Sequence, residues 1–216
     1  MNQVQQQTKE QPALVIATHN RHKLAEIRQI LGACLPQADV SQIQCAVDYD
    51  VPEPREDGVD FAENALIKAR ALSEALGVPA LADDSGICVD ILGGAPGIFS
   101  ARWAGRHGDD IANLDLLLAQ LADVPPENRG ANFTCCAALV VPGRGEFTEF
   151  GQIEGTLRYA RSGDGGFGYD PIFQPTGMEL TLAEISAAEK NQISHRSRAF
   201  AKIAPLIGRE IFGLKS

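Results

Sequence analysis

Asp83-Asp84-Ser85-Gly86 sets two carboxylates side by side between two apolar runs, residues 80–82 and 87–91. Adjacent carboxylates repel, so a pair of this kind usually faces a cation. Ser-Gly is turn composition, and the stretch reads as strand, acidic corner, strand. In this reading Asp83 and Asp84 hold a divalent metal, and the rest of the chain brings it a phosphate. The same four residues are also ordinary turn composition with no further role. Other segments must decide between the two.

Two segments offer cations at helix starts. Residues 13–17 are wholly apolar and predict a buried strand. Thr18-His19-Asn20-Arg21-His22-Lys23 follows, and Leu24, Ile27, Ile30 and Leu31 then share one helical face, with Asn20 as N-cap and Gly32 as stop. Strand, polar loop and helix start present free N–H groups to an anion, although the glycine spacing of a P-loop is absent. Lys23 in the first turn opposes the helix dipole, which favours an anion over simple capping. His19 and His22 have His-x-x-His spacing, but no further ligand lies nearby, which speaks against zinc.

The second segment is Lys190 to Phe200. Ser194 predicts an N-cap, which places His195 and Arg196 in the first helical turn. Charged and exposed, each would cost ~0.3–1 kcal/mol there, and a bound anion would remove the conflict. Lys190, His195, Arg196, Arg198 and Lys202 gather in an otherwise acidic chain, which points to a phosphate or base-edge site. Phe200, Ile203 and Leu206 form the buried face, and Pro205 is expected to bend or end the first helical stretch.

Between them, Asp60-x-x-Glu63 resembles a capping box opening a helix to residue 76, stopped by Gly77. Its apolar stripe is Phe61, Ala65, Ala69, Leu72 and Leu76, with Asn64 and Lys68 at the stripe's edge. Lys68 either snorkels to water or points into a cleft at an anion. Gly163 to Gly168 fits the dinucleotide fingerprint by letter, but Pro171 forbids the helix that must follow. The glycines then make a loop presenting Phe167, Gly168, Tyr169 and Asp170, whose aromatic either stacks on a base or plugs the core.

The remaining elements are scaffold. Residues 40–51 contain a strand, 52–58 a loop, and 92–103 a fixed connection ending in a helical turn. Asp109 or Asp110 caps a helix carrying Ile111, Leu114, Leu118 and Leu121. Residues 133–141 and 146–153 form a hairpin through Pro142-Gly143-Arg144-Gly145, and Thr181-x-x-Glu184 caps a short helix. The 216 residues suit one domain, 13–216, with two lobes and a short disordered tail at 1–12. No run nears ~18 apolar residues, so no membrane partner is expected. The five scattered cysteines suit a reducing cytoplasm. A net charge of −9 repels nucleic acid polymers but leaves room for a small anion beside local cations.

Five stretches in order resemble the inosine triphosphate pyrophosphatases, which remove deaminated purine nucleotides. They are Ala17 to Lys23 with Glu26; Phe61-Ala62-Glu63-Asn64-Ala65 with Lys68; Ala82-Asp83-Asp84-Ser85-Gly86 through Pro96-Gly97 and Ser100-Ala101-Arg102; Gly166-Phe167-Gly168-Tyr169-Asp170-Pro171-Ile172-Phe173; and Lys190-x-x-x-Ser194-His195-Arg196. The resemblance implies an α/β fold: an elongated mixed sheet with flanking helices and two lobes around a central substrate cleft, in a homodimer. It implies Mg2+-dependent hydrolysis of ITP, dITP and XTP to the monophosphate and pyrophosphate. Thr18, Asn20 and Lys23 would hold phosphates, helped by Lys68, within a substrate-binding set that includes His19, Arg21, His22 and Asn64. Asp84 is implied as catalytic carboxylate and metal ligand, with Glu56 the second acid, Asp83 supporting and Ser85 a substrate contact. Phe167 would stack on the purine beside Gly168 and Tyr169, with Asp170, Lys190, His195 and Arg196 around the base. The family's first loop usually carries Gly where this chain has His19. A related-fold pyrophosphatase acting on pyrimidine or modified nucleotides, and a non-catalytic nucleotide sensor, are the competing readings.

Overall fold

The computed structural model describes residues 12–18 and 21–214; Arg21 and His22 are described by their backbone alone. The expected tail to residue 11, and the binding roles expected of His19 and Asn20, lie outside the described residues.

The apolar run predicts a strand and forms one, β1 (Leu14–Ile16), with every residue buried. Helix α1 (Arg21–Cys34) follows and runs through Gly32, two residues beyond the expected stop. Residues 40–51 hold β2 (Ile43–Cys45) between 3-10 turns. Helix α2 (Phe61–Leu76) has the expected bounds. The Asp60 side chain accepts from Glu63 N, and Gly77 ends the helix. A cap of this kind is worth about 1 kcal/mol.

The acidic corner is not a corner. Strand β3 (Ala80–Val89) runs unbroken through Asp83-Asp84-Ser85-Gly86, and each of these residues is in register with β4 (Gly130–Val141). Gly86 therefore serves a close approach and not a turn: a Cβ there would lie 2.2 Å from the Gly97 carbonyl oxygen, in the 3-10 segment Gly97–Arg102 that packs on the strand. Helix α3 (Asp110–Gln120) is capped by Asp109. The hairpin is longer than expected, β4 pairing with β5 (Gly145–Leu157). The segment after Pro171 is the short strand β6 (Phe173–Pro175), consistent with rejecting a helix there.

Thr181 and Glu184 close a hydrogen-bonded turn instead of opening a helix. The short helix α4 (Ala187–Ile193) starts later, at a full capping box of Ser186 and Glu189. Ser194 caps α5 (His195–Glu210) as expected, but the helix continues through Pro205. Ten residues already precede Pro205, and Ile203, Ala204 and Ile207 stay buried around it, so packing holds the helix together.

The six strands form one mixed sheet in the order β2-β1-β3-β4-β5-β6, with β1 parallel to both neighbours and the rest antiparallel. Two cores occupy opposite ends of the β3–β4 pair. One joins Leu81 and Leu139 to α1 and α5; the other joins Ile87 and Phe133 to α3, β5 and β6. Asp83, Asp84 and Ser85 sit in the strand centre, where the two meet. On the other face, Ala65 and Ala69 of α2 pack on Ala82, Cys136 and Ala138. Side chains this small bring α2 close enough for its polar edge to reach the strand.

Candidate active site

Successive side chains of a strand point to opposite faces. In mid-strand, Asp83 and Asp84 thus separate, and each makes its direct contacts with its own set. Asp83 faces α1 and α5: Lys23 Nζ lies 2.6 Å from Oδ1, and Arg196 Nε lies 3.3 Å from Oδ2. Burial alone would raise the Asp83 pKa, but Lys23, Arg196 and Lys68 outweigh it and hold the carboxyl well below the usual carboxylate range. Asp84 faces α2: Lys68 Nζ lies 2.9 Å from Oδ1, and Asn64 Nδ2 donates to Oδ2 at 3.4 Å. Here burial wins over Lys68, and the Asp84 pKa is raised.

Lys68 does not snorkel to water. Its ammonium also lies 3.1 Å from Glu56 Oε1, so it bridges two carboxylates. Burial would lower its pKa, yet Asp84 and Glu56 raise it, and the lysine stays charged. Asn64 is fully buried and accepts from Gly58 N at 2.9 Å, which ties the 52–58 loop to α2 and so places Glu56.

The helix α5 start is pressed onto the sheet. A Cβ at Gly151 of β5 would lie 2.1 Å from the His195 carbonyl oxygen, so only glycine admits the helix this close. His195 is buried and stacks on Phe133 at 5.0 Å between centroids, 12° from parallel. Burial, with Arg196 and Lys190 nearby, lowers its pKa well below 6.5. The lowered pKa eases the expected conflict with the helix dipole at His195. At Arg196 it is resolved by carboxylates, Asp83 and Glu26, the latter 3.2 Å from Nη1. Among the described residues, His195 Nδ1 is the one buried side-chain polar atom without a hydrogen-bond partner. A buried polar atom left this way is costly unless a ligand satisfies it.

The glycine loop presents its aromatic to solvent: Phe167 is 60% exposed. Its position is fixed from behind. Asp170 is buried, accepts from Phe167 N at 2.8 Å and pairs with Lys190, whose ammonium lies 4.6 Å from the Phe167 ring centroid. Tyr169 turns inward and donates from its hydroxyl to the Ser100 carbonyl at 2.9 Å.

These groups surround one cavity of about 250 Å3. Lys23, Glu56, Lys68, Asp83, Asp84 and Ser85 line one part, and Phe167, Gly168, Tyr169, Asp170, Lys190, His195 and Arg196 another. Thr18 and Asn64 lie outside the lining; the Thr18 carbonyl accepts from Cys45 Sγ. Phe133, His107 and Asp110 line the cavity and are not among the site residues expected from sequence. The sequence offers Asp109 and Asp110 alike as the cap of α3, and the structure gives that role to Asp109. The Asp110 carboxylate instead accepts from Gly168 N at 3.1 Å and fastens the aromatic loop to α3.

A divalent cation would find hard oxygen donors at Glu56 and Asp84. Mg2+ commonly takes one or two carboxylates, several waters and substrate phosphates, and this pair fits that need. Among the described residues no cluster of three or more His, Cys, Asp or Glu is set to hold a metal without such help. Nor, among them, is any helix long and apolar enough to cross a membrane.

Comparison with known proteins agrees with this geometry. The chain is 58% identical to the dITP/XTP pyrophosphatase of Streptomyces coelicolor, over 93% of this chain and 98% of that protein. It is 50% identical to the dITP/XTP pyrophosphatase of Mycobacterium tuberculosis, over 90% of this chain and 94% of that one. Among solved structures it resembles a nucleoside-triphosphatase / dITP/XTP pyrophosphatase from Mycobacterium abscessus, with TM-score 0.73, 44% identity and coverage of 89% and 98%. A HAM1 protein from Coxiella burnetii superimposes with TM-score 0.80 at 36% identity, covering 90% of this chain and 97% of that one. The Ham1 family model matches residues 14–206. With its six-stranded mixed sheet and flanking helices, the chain belongs to the Ham1 family.

Proposed function

We propose that the protein hydrolyses the deaminated purine triphosphates ITP, dITP and XTP to the monophosphate and pyrophosphate. The observation that carries this reading is a single cavity with two chemically distinct parts, lysines and carboxylates in one, an exposed aromatic and a neutral buried imidazole in the other. Relatives matched over nearly their whole length bear the name dITP/XTP pyrophosphatase.

Lys23 and Lys68, which line the cavity, meet the phosphates, and the family resemblance adds Thr18, His19, Asn20, Arg21 and His22 to the substrate-binding set. Glu56 and Asp84 hold Mg2+, which when bound neutralises phosphate charge. Asp84 takes the proton of the attacking water as the oxygen–phosphorus bond forms and pyrophosphate leaves. Its carboxylate lines the cavity beside Lys68 and Glu56, the groups assigned to phosphate and metal. Asp83, held well below the usual range by two cations, is the poorer base. Ser85 contacts the substrate beside it.

Phe167 stacks on the purine from its tethered loop. His195 and Arg196 meet its polar edge. A 6-oxo group satisfies their donors, whereas the 6-amino group of adenine would leave them unpaired, and such buried mismatches discriminate strongly. A homodimer in the cytoplasm belongs to the same reading and rests on the family resemblance. Pyrophosphate release from ITP, dITP and XTP with Mg2+, set against ATP and GTP, tests the assignment; preferred turnover of dTTP or UTP would replace it with the pyrimidine reading.

A further inference from the structure

Asp83 is 3% exposed, yet it touches a cation from each end of the cavity. One carboxylate oxygen receives Lys23 from the first turn of α1, and the other receives Arg196 from the first turn of α5. Arg196 also returns to α1 through Glu26. The two helix starts are thus tied together across the centre of β3 by one buried carboxylate. Lys23 remains partly exposed at 24%, whereas the Arg196 side chain is nearly enclosed, so the first can still turn to a ligand while the second is fixed.

We propose that Asp83 is a positioning residue that couples the two ends of the site, setting Lys23 for the phosphates and Arg196 for the purine edge. The proposal rests on the purine triphosphate reading above. Removing the charge of one member of a buried ionic group leaves the others uncompensated, so they must shift. Lys23 and Arg196 would repel across a neutral residue, and Arg196 would keep its contact with Glu26. Small displacements of this kind are felt strongly, because about 1 Å of misplacement can cost about a hundredfold in rate.

The test is Asp83→Asn, which keeps shape and removes charge. Two readouts are followed in the full chain: the ratio of kcat/KM for ITP over ATP, and binding of inorganic tripolyphosphate by calorimetry. Both are expected to fall about tenfold or more. A general loss of packing would lower kcat/KM for both nucleotides alike and leave their ratio unchanged, and that result overturns the proposal. So does an unchanged affinity for tripolyphosphate. Should Asp83→Asn fail to fold, Lys23→Gln, Arg196→Gln and their double variant test the coupling with Asp83 intact. Sharing one carboxylate makes their effects non-additive on both readouts, and additive effects overturn the proposal. If the wild-type protein releases no pyrophosphate from ITP, the functional reading fails instead, and the tripolyphosphate comparison still reports on Lys23 and Asp83.

Discussion

Asp83 and Asp84 are neighbours in the chain, and their carboxylates serve opposite faces of β3. Asp83 is bound by Lys23 and Arg196, and Asp84 by Lys68 and Asn64. Two adjacent acids thereby acquire opposite pKa shifts, Asp83 lowered and Asp84 raised. Divergent environments for paired carboxylates are a common way to divide roles between them.

Asp84→Asn is expected to lower pyrophosphate release by about a hundredfold to ten-thousandfold, the usual worth of a general base. ITP binding should survive, because the residues assigned to the purine and phosphates are untouched. Stopped-flow turnover with parallel calorimetry checks this; wild-type turnover would remove Asp84 from the mechanism.

Lys68 occupies the position between Glu56 and Asp84 that a cation would want. In Lys68→Met the two carboxylates lose their ammonium partner, at 3.1 and 2.9 Å in the wild type. Mn2+ binding to the nucleotide-free protein, measured by electron paramagnetic resonance, should tighten by about tenfold or more. Unchanged Mn2+ affinity would mean that metal binds elsewhere.

Phe167→Ala should weaken nucleotide affinity while leaving the melting temperature alone, because the ring is exposed and lies beside the Lys190 ammonium. The stability change should stay within about 0.5 kcal/mol. A large fall in melting temperature with unchanged affinity would make Phe167 a structural plug.

His195 predicts an acid weakness. Its folded pKa lies well below the unfolded value of 6.5, so below that value the unfolded state binds more protons. Stability is therefore lost as pH falls through 6.5, by up to about 1.4 kcal/mol per pH unit until the folded pKa is reached. Urea unfolding at pH 7 and pH 5 should show this loss in the wild type and a smaller one in His195→Gln. The window separates it from Asp83, whose unfolded pKa is near 3.8. Equal losses in both proteins would show that His195 does not drive the dependence.

What could be read from sequence followed the range of the signal. Local signals worked: the Asp60 cap, the Ser194 cap, the hairpin and the exclusion of a helix after Pro171 all depend on residues a few positions apart. The acidic stretch reads as a turn because Asp-Asp-Ser-Gly has turn composition. What makes it a strand is ten residues of pairing with β4 and cations from α1, α2 and α5. The same spacing of Ser/Thr and Glu occurs at Thr181 and Ser186, and only packing decides that the second opens a helix. Arg129 had no local signal at all. It is buried, and its guanidinium donates to the carbonyls of Leu121, Leu157 and Arg158, groups brought together by the finished fold. From sequence the candidate site residues read as cations misplaced at helix starts, and the fold answers Arg196 with Asp83 and Glu26. At His195, burial lowers the pKa well below its usual value, which only the packed structure shows.

In the proposed function this cavity cleaves deaminated purine triphosphates and rejects the common ones. Initial rates of pyrophosphate release from ITP, dITP, XTP, GTP and ATP, with Mg2+ and with chelator, test it most directly. The expected result is rapid release from ITP, dITP and XTP, at least about a hundredfold slower release from ATP, and none under chelation. Equal rates on ATP and ITP, or release of orthophosphate in place of pyrophosphate, would contradict it.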